Sequence, residues 1–185
     1  MRILTYTTLY PNAAAPHHGV FVENRLRHLV GSGEVAASVV APVPWFPFQA
    51  PVFGEYAVFA RAPAAEQRYG LAIAHPRYPL LPRAGMTMAP ASLYLFTRAA
   101  VRRIQTEGHD FDLIDAHFLY PDGVAAVLLG WLLNKPVVIT ARGNDRSLVP
   151  RYRSGPRFWD QGLEWSRVLI RHCDGGSDGE DKTEV

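Results

Sequence analysis

Residues 3–41 read ILTYTTLYPNAAAPHHGVFVENRLRHLVGSGEVAASVVA, and this stretch predicts the fold. A β-branched and aromatic run at 3–7 ends in a proline-rich loop, which is typical of a strand that runs into a turn. From residue 20, apolar side chains recur at the spacing of one helix face until the glycines of 31–33 end the helix. A valine-rich strand follows at 34–41. A strand, a helix and a strand in so short a space form a βαβ unit, whose two strands are parallel.

The alternation of strands and helices continues further along the chain. Strands are predicted at 71–75, 112–118 and 137–140, and helices at 89–107 and 123–134. Between them, 42–51 interleaves prolines with aromatic residues, and because prolines disrupt a regular ladder we expect a loop with exposed or docking rings. The order β-α-β-loop-β-α-β-α-β predicts an α/β fold, a Rossmann-like parallel sheet flanked by helices.

The 185 residues have room for one domain and a short additional segment. We expect residues 1–155 to form the Rossmann-like domain. The segment 156–185 differs in character, with an amphipathic helix predicted over 158–172 and a frayed end rich in Gly, Asp and Glu.

Composition excludes several classes of protein. An apolar fraction of 48% with a net charge of +2 is typical of a globular chain and not of a disordered one. A charge this small gives no reason to expect a nucleic-acid partner. Cys173 is the single cysteine, so a disulfide framework is excluded. The longest apolar run, 123–133, is too short for a membrane helix, so we expect a cytoplasmic protein that is able to touch a membrane surface.

Cofactor and metal motifs are missing from the sequence. The residues 31–36 match G-x-G-x-x-A, but they follow a helix and precede a strand, the reverse of the order that a dinucleotide site requires. We interpret them as a helix stop, which argues against a nicotinamide-dependent dehydrogenase. His17 and His18 are adjacent, so their side chains diverge, and no cluster has zinc spacing. We therefore expect neither a cofactor nor a bound metal.

Candidate site residues follow the predicted strands, at the edge where open α/β sheets bind ligands. Gly19 precedes the first helix, where it either lets an anionic ligand approach the backbone or merely permits a turn. His117 closes a buried strand, where it binds a sugar hydroxyl, shuttles a proton, or only caps the strand as a structural residue. Asp122 is predicted to cap the next helix.

A third polar loop follows the strand at 137–140. It contains Arg142, Asn144 and Asp145, which form either a binding surface or a solvated turn. More arginines follow between 146 and 157, either to hold a phosphate-bearing acceptor or membrane surface, or as a solvated basic face.

Five motifs run in order from residue 2 to residue 145. They are RIL leading into LYP at 2–11, HGVFVENR at 18–25, VAPVPWFP at 40–47, IDAHFLYPDG at 114–123 and TARGND at 140–145. As an ordered set they resemble the amino-terminal half of a family-4 type glycosyltransferase, which has the GT-B fold of two Rossmann halves.

The resemblance implies an enzyme that moves a sugar from a nucleotide-sugar donor to a glycan or lipid-linked acceptor, with retention and without a metal. It implies that Gly19 lies beside the donor pyrophosphate and that His117 is catalytic, in contact with the donor sugar or the reacting centre. Arg142, Asn144 and Asp145 then line the acceptor side of the cleft. The family often has a histidine where this chain has Arg142.

The donor-binding half of that family has no counterpart in these 185 residues. We interpret the chain as a truncated product or one half of a split enzyme, with a second-half chain as its partner and little activity alone. The alternative is a non-catalytic module, in which the proline-aromatic loop and the arginines dock on a partner subunit or a membrane surface.

Overall fold

The computed structural model describes residues 1–79, 85–108, 110–141 and 168–172, with backbone alone for 85–87 and 168–172. The strands among these residues are β1 Arg2–Tyr6, β2 Ala36–Val40, β3 Val43–Pro44, β4 Ala65–Arg68, β5 Leu71–Ala74, β6 Arg77–Tyr78, β7 Leu113–His117, β8 Val137–Ala141 and β9 Val168–His172. The helices are α1 Val20–Gly31, α2 Glu55–Arg61, α3 Gly85–Thr106 and α4 Val124–Leu133. None of these helices is long and apolar enough to cross a bilayer.

Seven strands form one sheet in the order β4-β5-β2-β1-β7-β8-β9. Every neighbouring pair is parallel except β4 and β5, which form an antiparallel hairpin at one side. From β5 to β9 the order is 3-2-1-4-5-6, that of a doubly wound Rossmann sheet, and the order reverses between β1 and β7. The predicted α/β, Rossmann-like class is confirmed.

The register of the strands divides the core between the two faces of the sheet. Leu4 and Tyr6 project towards α3 and α4, where they join the larger apolar cluster. Ile3 projects the opposite way and packs with Val22 and Leu26 of α1. Both faces of the central strands are therefore covered, as the near-continuous apolar runs of a buried parallel sheet require.

The predicted loop at 42–51 is more ordered than expected. β3 pairs with β6 in a small second sheet, and Pro51–Phe53 forms one 3-10 turn before α2. The N–H groups of Val43 and Trp45 donate to the carbonyls of Pro76 and Tyr78. The prolines alternate with these donors, so the pairing does not need the N–H that proline lacks.

The prediction of a helix over 158–172 is wrong for its last five residues. Val168–His172 is a strand that pairs in parallel with β8 along its whole length. Read alone, the run Val168-Leu169-Ile170 fits the period of a helix as well as that of a strand. The edge of β8, to which a further strand can pair, favours the strand. The rest of the predicted helix lies outside the described residues.

Candidate functional site

The carboxyl ends of β1 and β7 form the edge at which the site is predicted. β7 ends at His117, and α1, which begins directly after Gly19, lies against the same edge. The ring of Phe21 on α1 meets the ring of Phe118 edge-on, with centroids 6.4 Å apart. The structure thus brings Gly19 and His117 to one edge, where the strand order reverses and open sheets bind ligands.

His117 lies wholly inside the protein, with none of its surface exposed. Its Nε2 atom is 3.2 Å from Nη1 of Arg25, which reaches across from α1. The same guanidinium nitrogen donates a hydrogen bond of 2.6 Å to Oδ2 of Asp115. Asp115 and His117 are two residues apart on β7, so their side chains share a face of the sheet. One arginine therefore holds a buried carboxylate and a buried imidazole together.

The Asp115 carboxylate is kept ionised by its neighbours. Burial by itself raises the pKa of Asp115, but the Arg25 guanidinium beside its Oδ2 atom favours the charged carboxylate, and the pKa lies below the ordinary value of 3.8. The Arg25 side chain is 28% exposed, so its charge is partly solvated. The edge therefore contains a buried negative charge that is balanced by a cation from a different element.

Several buried polar atoms beside this cluster have no hydrogen-bond partner among the described residues. Four of them lie on the face that α1 covers: Thr5 Oγ1, Asp115 Oδ1, His117 Nδ1 and Thr140 Oγ1. Leaving such an atom unpaired costs about 1–3 kcal/mol, and native proteins contain few of them. Their concentration on three neighbouring strands indicates a place suited to a polar ligand.

Asp122 joins the two strand ends instead of capping a helix, so its predicted role was wrong. Its carboxylate accepts hydrogen bonds from the Thr8 N–H at 2.7 Å and from the hydroxyls of Thr7 and Thr8. α4 begins one residue later than the cap would need, after Gly123, and has no side-chain cap. The carboxylate turns away because the turn at Leu119–Gly123 points it towards the loop after β1. Asp122 thereby fixes the distance between the loops that follow β1 and β7.

The backbone geometry at position 19 requires a glycine. Its φ of +72° is left-handed, and a Cβ atom built on it would overlap the carbonyl group of Leu9. The turn interpretation accounts for the glycine without any ligand, and its place beside a donor phosphate stays a prediction.

The structure contains a cavity of about 200 Å³ at this edge. Its walls are the loop after β1, with Thr8, Asn12 and His18, and the apolar side chains of Phe59 and Tyr78. A larger cavity of about 880 Å³ lies between α3 and the β4–β5 hairpin and is lined by none of the predicted site residues.

Arg142, Asn144 and Asp145 lie outside the described residues. They directly follow Ala141, the last residue of β8, whose carboxyl end points to the same edge as that of β7. Among the described residues, no three His, Cys, Asp or Glu side chains are grouped as metal ligands would be.

Sequence reasoning missed Arg25, Asp115 and the threonines that hold Asp122. A signal for Asp115 was present, because a charged residue two positions before His117 in a buried strand must find a partner on the same face. Arg25 follows Val22 by three residues and precedes Leu26, so it borders the apolar face of α1. Sequence position alone does not say which strand that border meets.

Comparison with known proteins gives two matches. Residues 52–175 match the family model described as Glycosyltransferase Family 4. The chain is also 29% identical over 158 residues to TuaC of Bacillus subtilis (strain 168), which bears the name of a teichuronic acid biosynthesis glycosyltransferase. That alignment covers 84% of this chain and 39% of TuaC, so the chain spans well under half the length of this relative.

Proposed function

Because the chain belongs to glycosyltransferase family 4, we propose that it is the acceptor-side half of a retaining enzyme that moves a sugar from a nucleotide-sugar donor to a glycan or lipid-linked acceptor. The observation that carries this proposal is the convergence of Gly19 and His117 at the switch point of the sheet. The relative TuaC, named for teichuronic acid biosynthesis, suggests a growing glycan as the acceptor.

In this proposal each part of the edge has a separate task. His117, at the end of β7, contacts the donor sugar, while the start of α1 at Gly19 faces the donor diphosphate, where helix N–H groups favour an anion. The cavity beside Thr8 and His18 receives the acceptor, because it pairs polar groups with an apolar wall, as many small-molecule sites do. Arg142, Asn144 and Asp145 complete the acceptor side, with no cofactor or metal.

The donor nucleotide is held by a second Rossmann half, on another segment or chain. Retaining transfer needs both walls of the cleft, which orient the donor and stabilise the leaving diphosphate. We therefore expect the 185-residue chain alone to turn over nucleotide sugars little or not at all.

The test is to co-express the chain with a donor-binding half from the same family and to measure transfer from radiolabelled nucleotide sugars. Transfer should depend on both halves and fall about 10-fold or more in His117→Gln, the size expected for loss of a buried hydrogen bond to the sugar. His28→Gln, an exposed histidine on α1, is the matched control and should leave the rate unchanged. Full transfer by the His117 variant contradicts the assigned role.

A second candidate function, contact with a membrane surface, is favoured by an exposed aromatic patch made of Phe46, Phe48, Phe53 and Tyr56. The ring centroids of Phe46 lie 5.1–5.9 Å from those of the other three. Phe48 and Tyr56 are 56% and 52% exposed, so these rings pack mostly on one another. No charged residue lies between positions 35 and 54, so three of the four rings belong to an uncharged segment, which favours contact with a lipid interface.

Sedimentation with phosphatidylcholine vesicles tests this second function. The double variant Phe48→Ser/Tyr56→Ser should reduce the bound fraction several-fold. The control Leu95→Ser/Phe96→Ser changes two equally exposed side chains on α3 and should bind as the wild type does. Equal losses in both variants, or no binding by the wild type, count against a membrane role for the patch.

A further inference from the structure

The hydrogen-bonding state of His117 follows from its neighbour on α1. A guanidinium group has five N–H donors, no acceptor, and keeps its proton at every working pH. Because Nη1 of Arg25 lies 3.2 Å from Nε2 of His117, the only hydrogen bond available between them has Arg25 as donor and Nε2 as acceptor. Nε2 therefore carries the lone pair, and an imidazolium there would place two cations in contact.

Asp115 does not hold the histidine directly. Its Oδ2 atom is 3.6 Å from Nε2, which is longer than a hydrogen bond, and only 2.6 Å from Nη1 of Arg25. The carboxylate thus anchors the guanidinium, and the guanidinium orients the ring. In a catalytic triad, by contrast, the carboxylate accepts a hydrogen bond directly from the imidazole N–H.

With the lone pair on Nε2, the ring proton sits on Nδ1. That nitrogen is buried and has no partner among the described residues. Thr140 pairs with His117 in the register of β7 and β8, and its hydroxyl oxygen is buried and equally unpaired. A hydroxyl group of a ligand bound between the two residues would satisfy both, since it would accept from Nδ1–H and exchange a second hydrogen bond with Thr140.

We propose that Arg25 is a positioning residue that fixes His117 as the Nδ1–H tautomer, so that His117 meets its ligand as a hydrogen-bond donor to a hydroxyl oxygen, with Thr140 as the second contact. This inference rests on the proposed function for the identity of the ligand, a sugar hydroxyl, but the tautomer itself does not. His117 then orients the sugar and leaves general-base work to another group.

The tautomer is read directly by long-range ¹H–¹⁵N NMR of the full chain with ¹⁵N-labelled histidine at pH 7. His117→Gln identifies the signals of His117. We expect a protonated, pyrrole-type Nδ1 and an unprotonated, pyridine-type Nε2. Protonation of Nε2, or of both nitrogens, in the wild type overturns the inference without any other variant.

Variants at position 25 then test the cause. Arg25→Lys keeps a cationic donor and should preserve the tautomer, whereas Arg25→Met should let the Nε2–H form appear. Arg98→Met, an exposed arginine on α3, is the control and should leave the spectrum unchanged. An Arg25→Met spectrum identical to that of the wild type refutes the role of Arg25.

Measurements of sugar transfer distinguish a failure of this inference from a failure of the proposed function. With a donor-binding half present, Thr140→Val should raise the KM for the nucleotide-sugar donor about 10-fold, as loss of one buried hydrogen bond does. Arg25→Lys should change this KM little. If the wild-type NMR spectrum shows the Nδ1–H form but no transfer is detected, the proposed function fails while the tautomer assignment stands. If transfer is detected with an Nε2–H histidine, the tautomer assignment fails alone.

Discussion

At the scale of the residue, His117 depends on side chains that lie far from it in the sequence. Arg25 is 92 positions away and yet lies 3.2 Å from its ring. Asp122 is similarly tied to Thr8 across 114 positions. The geometry of the edge is thus a property of contacts between α1, the loop after β1 and the turn after β7, and single substitutions in any of them should disturb it.

Two glycines with the same backbone conformation should respond differently to alanine. Gly19 and Gly33 have φ values of +72° and +78°, but a Cβ overlaps Leu9 at the first position and meets nothing at the second. Gly33→Ala should cost about 1 kcal/mol for the left-handed backbone alone, and Gly19→Ala at least about 3 kcal/mol. Urea unfolding measures both, and equal losses would show that the close approach to Leu9 is unimportant.

The charge of Asp115 makes a pH-dependent contribution to stability. Asp115→Asn should lower the free energy of unfolding at pH 7 by about 2 kcal/mol, because it leaves Arg25 without its anion. The pKa of Asp115 is lower in the folded state, so its stabilisation is full above the unfolded value and is lost as the pH falls through the folded one.

The gap between wild type and Asp115→Asn should therefore stay constant from about pH 7 to pH 5 and shrink below about pH 4. Urea unfolding across this range measures the gap. Asp112→Asn serves as a control, because the Asp112 side chain is half exposed and its removal should matter much less. A gap that widens in acid contradicts the assigned ionisation.

At the scale of the element, α1 connects the edge strand β4 with β7 in the interior of the sheet. Its inner face carries the apolar contacts of Val22 and Leu26. Arg25, on one flank of the helix, pairs with Asp115 of β7. Glu23 pairs with Arg68 of β4, with its Oε1 atom 2.7 Å from Nε of Arg68. One helix thereby positions both the candidate site and the antiparallel hairpin.

The Glu23–Arg68 pair should behave as a coupled unit. Arg68→Met alone should cost about 3 kcal/mol, because it leaves a carboxylate that is 96% buried without a partner. The double variant Arg68→Met/Glu23→Gln should lose less stability than the sum of the losses of the two single variants. The coupling energy in this double-mutant cycle should be about 1–3 kcal/mol. The exposed pair Arg103–Glu107 is the control and should couple weakly. Additive losses at Glu23 and Arg68 would refute the pairing.

Most elements were predictable because their signals are local. The spacing of Val22, Leu26 and Leu29 suffices for α1, and the valine-rich and β-branched runs suffice for β1, β2 and β8. α2 and β4 were missed because short elements of 7 and 4 residues have little periodicity. α3 was expected to begin at 89 from the spacing of its apolar residues, but it begins at Gly85 and contains Pro90.

The site was predictable only in part, for a physical reason. Gly19 and His117 are found from strand ends, which are local features. The pairing of Arg25 with Asp115 depends on the orientation of α1 about its own axis when it packs on the sheet. The hydrogen bonds between Asp122 and Thr8 depend on the turn after β7. Neither the orientation nor the turn has a sequence signal of its own, because both result from packing.

At the scale of the whole molecule, one sheet separates two apolar clusters, one under α1 and one under α3 and α4. Because β1 and β7 contribute side chains to both, we expect the two clusters to unfold together. Leu26→Ala and Leu93→Ala, one in each cluster, should each cost about 3 kcal/mol and shift a single transition in urea. Two separable transitions, each moved by one variant only, would contradict this.

The antiparallel β4 also bears on the solubility of the protein. Without it, β5 would present a bare ladder of backbone donors and acceptors along the rim of the sheet, a template on which another molecule adds strands. β4 covers that ladder with only four residues, two of which are Glu66 and Arg68. An incoming strand thus finds an edge of only four residues to pair with, which discourages polymerisation from this rim.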